Sequence, residues 1–250
     1  MGSLLTRIVQ VILHPRSMVV CDEKDAELKS FVSSLPERFN SKQGELLYCH
    51  RNELRAFTVG ERRVVVKSFA IPNALNRIVY GFIRKSKAQR SYEYARLLLS
   101  KGIDSPEPVA WLSVRNGFLF TRSYYVSRQS TCPYDYNTLL DGKVADLDEQ
   151  NHYLQLVAHT VGRMHNCGML HRDLSGGNIL FGDGDRVEII DLNRIRFQKV
   201  DINEGCRNFS ERLMARRSWR ELMAREYAAE RGFDADECLR LISQYNEIKD

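Results

Sequence analysis

Between Leu46 and Phe69, apolar and polar positions fall into three short runs: Leu46 to His50, Leu54 to Val59, and Arg62 to Phe69. The breaks are Arg51-Asn52-Glu53 and Gly60-Glu61. Runs of this length predict three successive strands, and the second break has the form of a hairpin turn. The third run, Val64-Val65-Val66-Lys67-Ser68-Phe69, sets one lysine inside a β-branched stretch. From Ala70 to Ser100 the period changes: Ile78, Phe82, Tyr92, Ala95, Leu98 and Leu99 recur at helical spacing, and Gly102 ends the run. Pro106 and Pro108 mark a connector, and Val109 to Val114 and Phe118 to Val126 predict two more strands around Asn116-Gly117. The pattern predicts a five-stranded antiparallel sheet with one main helix inserted after its third strand.

The second half reads differently. Leu154, Val157, Val161 and Met164 form one apolar helical stripe leading to Gly168. A strand pair is expected next, Asn178 to Phe181 and Val187 to Ile190, across Gly182-Asp183-Gly184-Asp185. From Glu204 onward helical patterns dominate, broken at Gly232. Ahead of the sheet, Ala26 to Leu35 predicts a short helix ended by Pro36. The change of period near Ser127 to Thr131 predicts two lobes, 1–128 and 129–250, in an α+β fold whose second lobe is compact and mostly helical.

Composition narrows the class. At 250 residues, 43% hydrophobic and 28% charged, the chain has globular composition. No apolar run approaches the roughly 18 to 20 residues that span a bilayer. The first residues, Met1-Gly2-Ser3-Leu4-Leu5-Thr6, match the loose form of an acylation signal but lack a signal-peptide cleavage site, and read as a leader. None of the six cysteines forms a CxxC pair, so reduced thiols in a cytoplasm are expected and a zinc or redox motif is not. The net charge of +5 is uneven. Arg62 to Tyr92 contains no acidic residue but holds Arg62, Arg63, Lys67, Arg77, Arg84, Lys85, Lys87 and Arg90. Such a surface attracts phosphates or an anionic leaflet, and no nucleic-acid motif accompanies it. Arg212, Arg216, Arg217 and Arg220 form a second basic cluster.

Chemistry concentrates in His171-Arg172-Asp173-Leu174-Ser175-Gly176-Gly177-Asn178 and in Asp191-Leu192-Asn193. An Asp, an Asn five residues later and a second Asp closing an apolar strand form the set that holds a hydroxyl nucleophile and magnesium against ATP. Asp173 is the candidate base, and Asn178 and Asp191 are candidate Mg2+ ligands, hard oxygen donors suited to that ion. Lys67 inside an apolar strand calls for a partner, and Glu93 is the first acidic residue after it. Together they are the candidate pair for the nucleotide phosphates.

These residues resemble the protein-kinase-like superfamily from about Leu46 onward. Asn76 to Gly81, Ile83 through Tyr94, and Glu204-Gly205-Cys206-Arg207-Asn208-Phe209 look like the bacterial lipopolysaccharide core kinases, the Kdo/heptose kinase family. The resemblance implies a bilobal protein-kinase-like fold. It also implies ATP-dependent phosphorylation of a Kdo or heptose hydroxyl on a lipid-linked acceptor, at the cytoplasmic face of the inner membrane. Arg77, Arg84, Lys85 and Lys87 are then the candidate contacts with anionic lipid.

The departures keep two other readings open. Arg51-Asn52-Glu53 stands where kinases place a glycine-rich loop, leaving Arg51 and Asn52 as candidate phosphate contacts. That absence admits a non-catalytic binding module. Ser175 replaces the lysine of many protein kinases, which points away from peptide acceptors, although a small atypical protein kinase shares the core motif. Asp191-Leu192-Asn193 lacks the usual glycine and no Ala-Pro-Glu follows, so no activation by phosphorylation between Leu192 and Arg207 is expected. Arg172 is expected to pair with a local carboxylate or carbonyl, and His152 and His165 to be surface or packing residues.

Overall fold

The computed structural model describes residues 16–22, 24–69, 85–116, 119–182, 184–213 and 217–247. The chain divides into two compact units, residues 1–96 with 106–129, and residues 97–105 with 130–250.

The first unit is built on β4 (Arg62–Phe69), whose Val64 and Val66 are fully buried. It pairs antiparallel with β3 (Glu53–Val59) and β6 (Leu119–Arg128). The sheet is completed by β2 (Glu45–Cys49), β5 (Pro108–Asn116) and β1 (Arg16–Val20), in the order β1-β5-β6-β4-β3-β2. It therefore has six strands where the pattern predicts five. The additional β1 is a five-residue edge strand against β5 with one buried residue, too weakly patterned to stand out.

Helix α1 (Ala26–Asn40) covers one face of this sheet with Leu28, Phe31, Val32, Leu35 and Phe39. Burying such side chains contributes roughly 1.5–3 kcal/mol each. Asp25 caps it, accepting from the Leu28 N–H at 2.8 Å and pairing with Arg62. These contacts, the amide first, hold the Asp25 carboxyl below its usual range. The helix runs through Pro36, which was expected to end it, because Phe39 beyond the proline packs against Phe57 and Tyr124. Helix α2 (Lys87–Ser100) brings Ala88 and Tyr92 against Phe69 and Trp111. Residues 70–84 lie outside the described residues, as does the leader at 1–15.

In the second unit, β7 (Tyr134–Asp135) leads into α3 (Tyr136–Leu140), followed by α4 (Leu147–Asn166). The predicted stripe of α4, Leu154, Val157, Val161 and Met164, is fully buried. Strand β8 (Met169–His171) precedes β9 (Ile179–Gly182) and β10 (Arg186–Ile189), an antiparallel pair flanked by β7. Strand β11 (Ile195–Phe197) pairs with β8. Helices α5 (Ile202–Leu213), α6 (Arg217–Arg231) and α7 (Ala235–Glu247) follow, with Gly232 at φ 66° ending α6. Arg220 is half-buried in α6; Arg216 and the side chains of Arg212 and Arg217 lie outside the description.

Candidate active site

The turn after β8 is held together by its own polar groups. Ser175 N–H donates to the Asp173 carbonyl at 2.9 Å, and Asn178 N–H to the Ser175 carbonyl at 2.9 Å. Ser175, Gly176 and Gly177 thus make the short turn that presents Asn178. A Cβ at Gly176 would lie 2.4 Å from Asn137 Oδ1, so a side chain there would have to displace that amide. Both hydrogens of the Asn178 amide have acceptors, the Asp173 carbonyl at 2.8 Å and Ser175 Oγ at 3.2 Å. That fixes the flip of the amide and makes Oδ1 the atom it offers to a cation.

The second motif is tied to the first. Ile190 N–H donates to the Asn178 carbonyl at 3.0 Å, which sets Asp191 beside Asn178. Asp191 takes the left-handed backbone, φ 57° and ψ 42°, which costs most side chains energy. Asn193 Nδ2 donates to Asp191 Oδ1 at 2.5 Å, so the asparagine that replaces the expected glycine holds the carboxylate instead.

His171 braces both motifs. Its Nδ1 accepts from the Asp173 N–H at 3.1 Å, so its Nε2 carries the proton and donates to the Ile190 carbonyl at 3.1 Å. Burial pushes the His171 pKa down, and the neutral ring is the form this geometry requires.

Asp173 is half-buried, and Arg194 Nη1 donates to its Oδ2 at 2.9 Å. Arg172, expected to pair with a local carboxylate or carbonyl, is exposed and makes neither contact among the described residues. Arg194 instead ends the short turn Leu192–Arg194 that follows Asp191. Arg194 was not identified from sequence. Its only signal was its place three residues after Asp191.

A chain of hydrogen bonds backs the site from α4, α5 and α6. Asn208 Nδ2 donates to the His171 carbonyl at 3.0 Å, and His165 Nε2 donates to Asn208 Oδ1 at 3.1 Å. Tyr227 donates its hydroxyl proton to His165 Nδ1 at 2.8 Å and accepts from Arg231 Nη1 at 2.8 Å. His165 is thus a buried packing residue with both ring nitrogens engaged, while His152 is exposed and meets Asp185 at 2.7 Å. Burial pushes the His165 pKa down to about 3, the Asn208 bond opposing the shift and Arg231 adding to it.

In the first unit, Lys67 sits half-buried on β4 opposite Leu54 and Tyr125, with Nζ 5.5 Å from the Phe69 ring centroid. The expected Lys67–Glu93 pair is not the one formed. Lys85 Nζ meets Glu93 Oε2 at 2.6 Å, and Gln89 Nε2 donates to Oε1 at 3.0 Å. Lys85 precedes α2 and Gln89 lies one turn before Glu93, so both reach the carboxylate locally. Arg51 is exposed and Asn52 half-buried in the turn between β2 and β3, closed by His50 N–H to the Asn52 carbonyl at 3.1 Å. The basic stretch is partly neutralised: Arg62 pairs with Asp25, Arg63 with Glu45, and Lys85 with Glu93. Arg77 and Arg84 lie outside the described residues.

Among the described residues, no group of three or more His, Cys, Asp or Glu side chains could hold a metal. No described helix is long and apolar enough to cross a membrane.

The fold is similar to a solved structure of WaaP in complex with acyl carrier protein, with a TM-score of 0.63 at 17% identity, over 92% of this chain and 97% of that one. A 3-deoxy-D-manno-octulosonic acid kinase of Vibrio parahaemolyticus is 27% identical over 144 residues, 55% of this chain. The chloroplastic serine/threonine-protein kinase STN7 of Arabidopsis thaliana is 27% identical over 179 residues, 68% of this chain. The aligned parts take in 58% and 28% of the lengths of these two relatives. The model of the lipopolysaccharide kinase (Kdo/WaaP) family matches residues 74–243, a range that includes Glu93, Asp173, Asn178 and Asp191 and begins after Lys67. By that match the chain belongs to the lipopolysaccharide kinase (Kdo/WaaP) family.

Proposed function

We propose that this protein transfers the γ-phosphoryl group of ATP to a sugar hydroxyl, Kdo or heptose, of the lipopolysaccharide inner core. The observation that carries the reading is the joining of Asp173, Asn178 and Asp191 through Asn178 Nδ2 to the Asp173 carbonyl (2.8 Å) and Ile190 N–H to the Asn178 carbonyl (3.0 Å). The Asp173 carboxylate orients the acceptor hydroxyl and takes its proton. The sugar oxygen bonds to the γ-phosphorus as the bond from that phosphorus to the β,γ-bridging oxygen breaks, and ADP leaves with the bond's electron pair. In this reading Lys67 is the residue that would contact the nucleotide phosphates, with Arg51 and Asn52 as further candidate contacts and Glu93 as the candidate supporting carboxylate.

The donor set suits magnesium: an amide oxygen oriented by two hydrogen bonds, and a carboxylate fixed by Asn193. Asn178 and Asp191 are the residues that would hold it. When bound, the ion supplies positive charge to the phosphate oxygens.

The reading places the protein at the cytoplasmic side of the inner membrane, with Arg77, Arg84, Lys85 and Lys87 as cations toward anionic lipid. Lys85 contributes least, since Glu93 already neutralises it. The relatedness to a plant protein kinase favours protein as the rival acceptor. One assay separates the two: labelled ATP with isolated lipid A–core acceptor or with protein, comparing wild type and Asp173→Asn. Label is expected on the core, with a roughly 10²- to 10⁴-fold loss in the variant. Label on protein alone, or equal transfer by both enzymes, overturns the reading.

A further inference from the structure

Arg194 pairs with the Asp173 carboxylate, and its side chain is 54% exposed. It spends one N–H, on Nη1, on Asp173 Oδ2 at 2.9 Å. A guanidinium carries five N–H donors in a planar fork, so the same group can hold a second anion while keeping Asp173 in place. The next residue, Ile195, is extended at φ −60° and ψ 136° and buries its side chain. Residues on either side of an extended, inward-pointing residue share the opposite face. Arg196 therefore stands on the same side as Arg194, exposed, on β11 opposite Leu170. Phe197 beside it is 48% exposed.

Asp173 offsets part of the Arg194 charge, and the stretch that follows adds no further carboxylate. Leu192 to Val200 contains no acidic residue. Asp201 caps α5 by accepting from the Glu204 N–H at 2.8 Å, and Glu204 accepts from Gln198 Nε2 at 2.7 Å. The unused N–H groups of Arg194 and the exposed guanidinium of Arg196 give a neutral sugar little, but a sugar bearing a negative group gains charge-assisted hydrogen bonds there.

From this arrangement we infer that Arg194 and Arg196 form an anion subsite of the acceptor site. The acceptor is a sugar carrying a carboxylate or phosphate near the hydroxyl that Asp173 deprotonates. Arg194 links the two: it positions Asp173 on one side and the acceptor's anion on the other. Arg196 binds the anion without touching Asp173. The inference rests on the sugar-kinase reading above and adds the charge of the acceptor to it.

The test uses the full chain, ATP and four soluble acceptor glycosides: a sugar acid, its methyl ester, a heptose, and the same heptose bearing a phosphate. Wild type is expected to prefer the anionic member of at least one pair by roughly 10- to 100-fold in kcat/KM, the scale of a charged hydrogen bond. Which pair shows the preference tells carboxylate from phosphate. Arg196→Gln should raise KM for that acceptor by a similar factor, with kcat and the KM for ATP unchanged, and should abolish the preference. Arg196→Lys should retain most of it. Arg194→Gln should lower kcat as well, because it releases Asp173. A merely structural role would lower activity on charged and neutral acceptors alike, and that result overturns the inference. So does a wild type that phosphorylates both members of each pair equally, which leaves the sugar-kinase reading standing. Failure to phosphorylate any sugar overturns both. Arg196 is exposed, and a thermal melt unchanged from wild type confirms that the variants are folded.

Discussion

Asn208 donates a hydrogen bond to the main-chain carbonyl of His171 at 3.0 Å across 37 residues of sequence. Helix α5 thereby grips the residue whose ring holds the Asp173 amide on one side and the Ile190 carbonyl on the other. The grip continues through His165 and Tyr227 to Arg231 on α6. Replacing Asn208 with Ala leaves the His165 N–H and the His171 carbonyl without partners. Each orphaned group is expected to cost roughly 1–3 kcal/mol. A lowered urea midpoint at unchanged slope, together with reduced kcat in the folded enzyme, is the expected outcome; an unchanged midpoint contradicts it.

Gly205 lies where a Cβ would come within 2.1 Å of the Tyr227 hydroxyl. That hydroxyl cannot swing aside without leaving His165 and Arg231. Gly205→Ala should destabilise the protein by about 1–3 kcal/mol, the usual scale for overpacking. Removing the hydroxyl as well, in Gly205→Ala with Tyr227→Phe, should cost less than the sum of the two single changes. Additivity in that double-mutant cycle rules out the clash.

Stability should fall on mild acidification. The folded His165 stays neutral down to about 3, whereas in the unfolded chain it titrates near its ordinary 6.5. Above the unfolded value neither state binds the proton and the contribution is flat. As pH falls from about 6.5 toward about 3, only the unfolded state takes it up, and folding loses stability throughout that window. The slope approaches roughly 1.4 kcal/mol per pH unit, and the buried His171, shifted the same way, adds to it. Urea midpoints at neutral pH and near pH 5 measure this, and His165→Gln should flatten part of the slope. A pH-independent midpoint in wild type excludes it.

Because Glu93 is engaged by Lys85 and Gln89, the two halves of the expected nucleotide pair should behave differently. Lys67→Met should raise KM for ATP substantially, by loss of a phosphate contact. Glu93→Gln should have a much smaller effect, since the surface pair it breaks contributes at most about 1 kcal/mol. Equal defects in the two variants would instead show that Lys67 and Glu93 act as a couple during turnover.

Asn178→Ala should raise the magnesium concentration needed for half-maximal activity by on the order of 10-fold or more. A magnesium titration at fixed ATP reads it. An identical titration curve for variant and wild type removes Asn178 from the ion's coordination.

The sequence by itself determined the strands around Lys67, the buried stripe of α4, and the Asp173, Asn178 and Asp191 spacing. Each rests on contacts between near neighbours, where side-chain period and turn chemistry act directly. Strand β1 was not legible, because an edge strand with one buried residue carries almost no alternation. Nor was the passage of α1 through Pro36, because packing of Phe39 outweighs the local cost of the ring. Tertiary structure alone decided that Arg194 holds Asp173 and that Asn208 braces His171. In a chain with many arginines and glutamates, any charge has several partners of the right sign. Only the approach of distant backbones selects one, and sequence spacing holds no record of that approach.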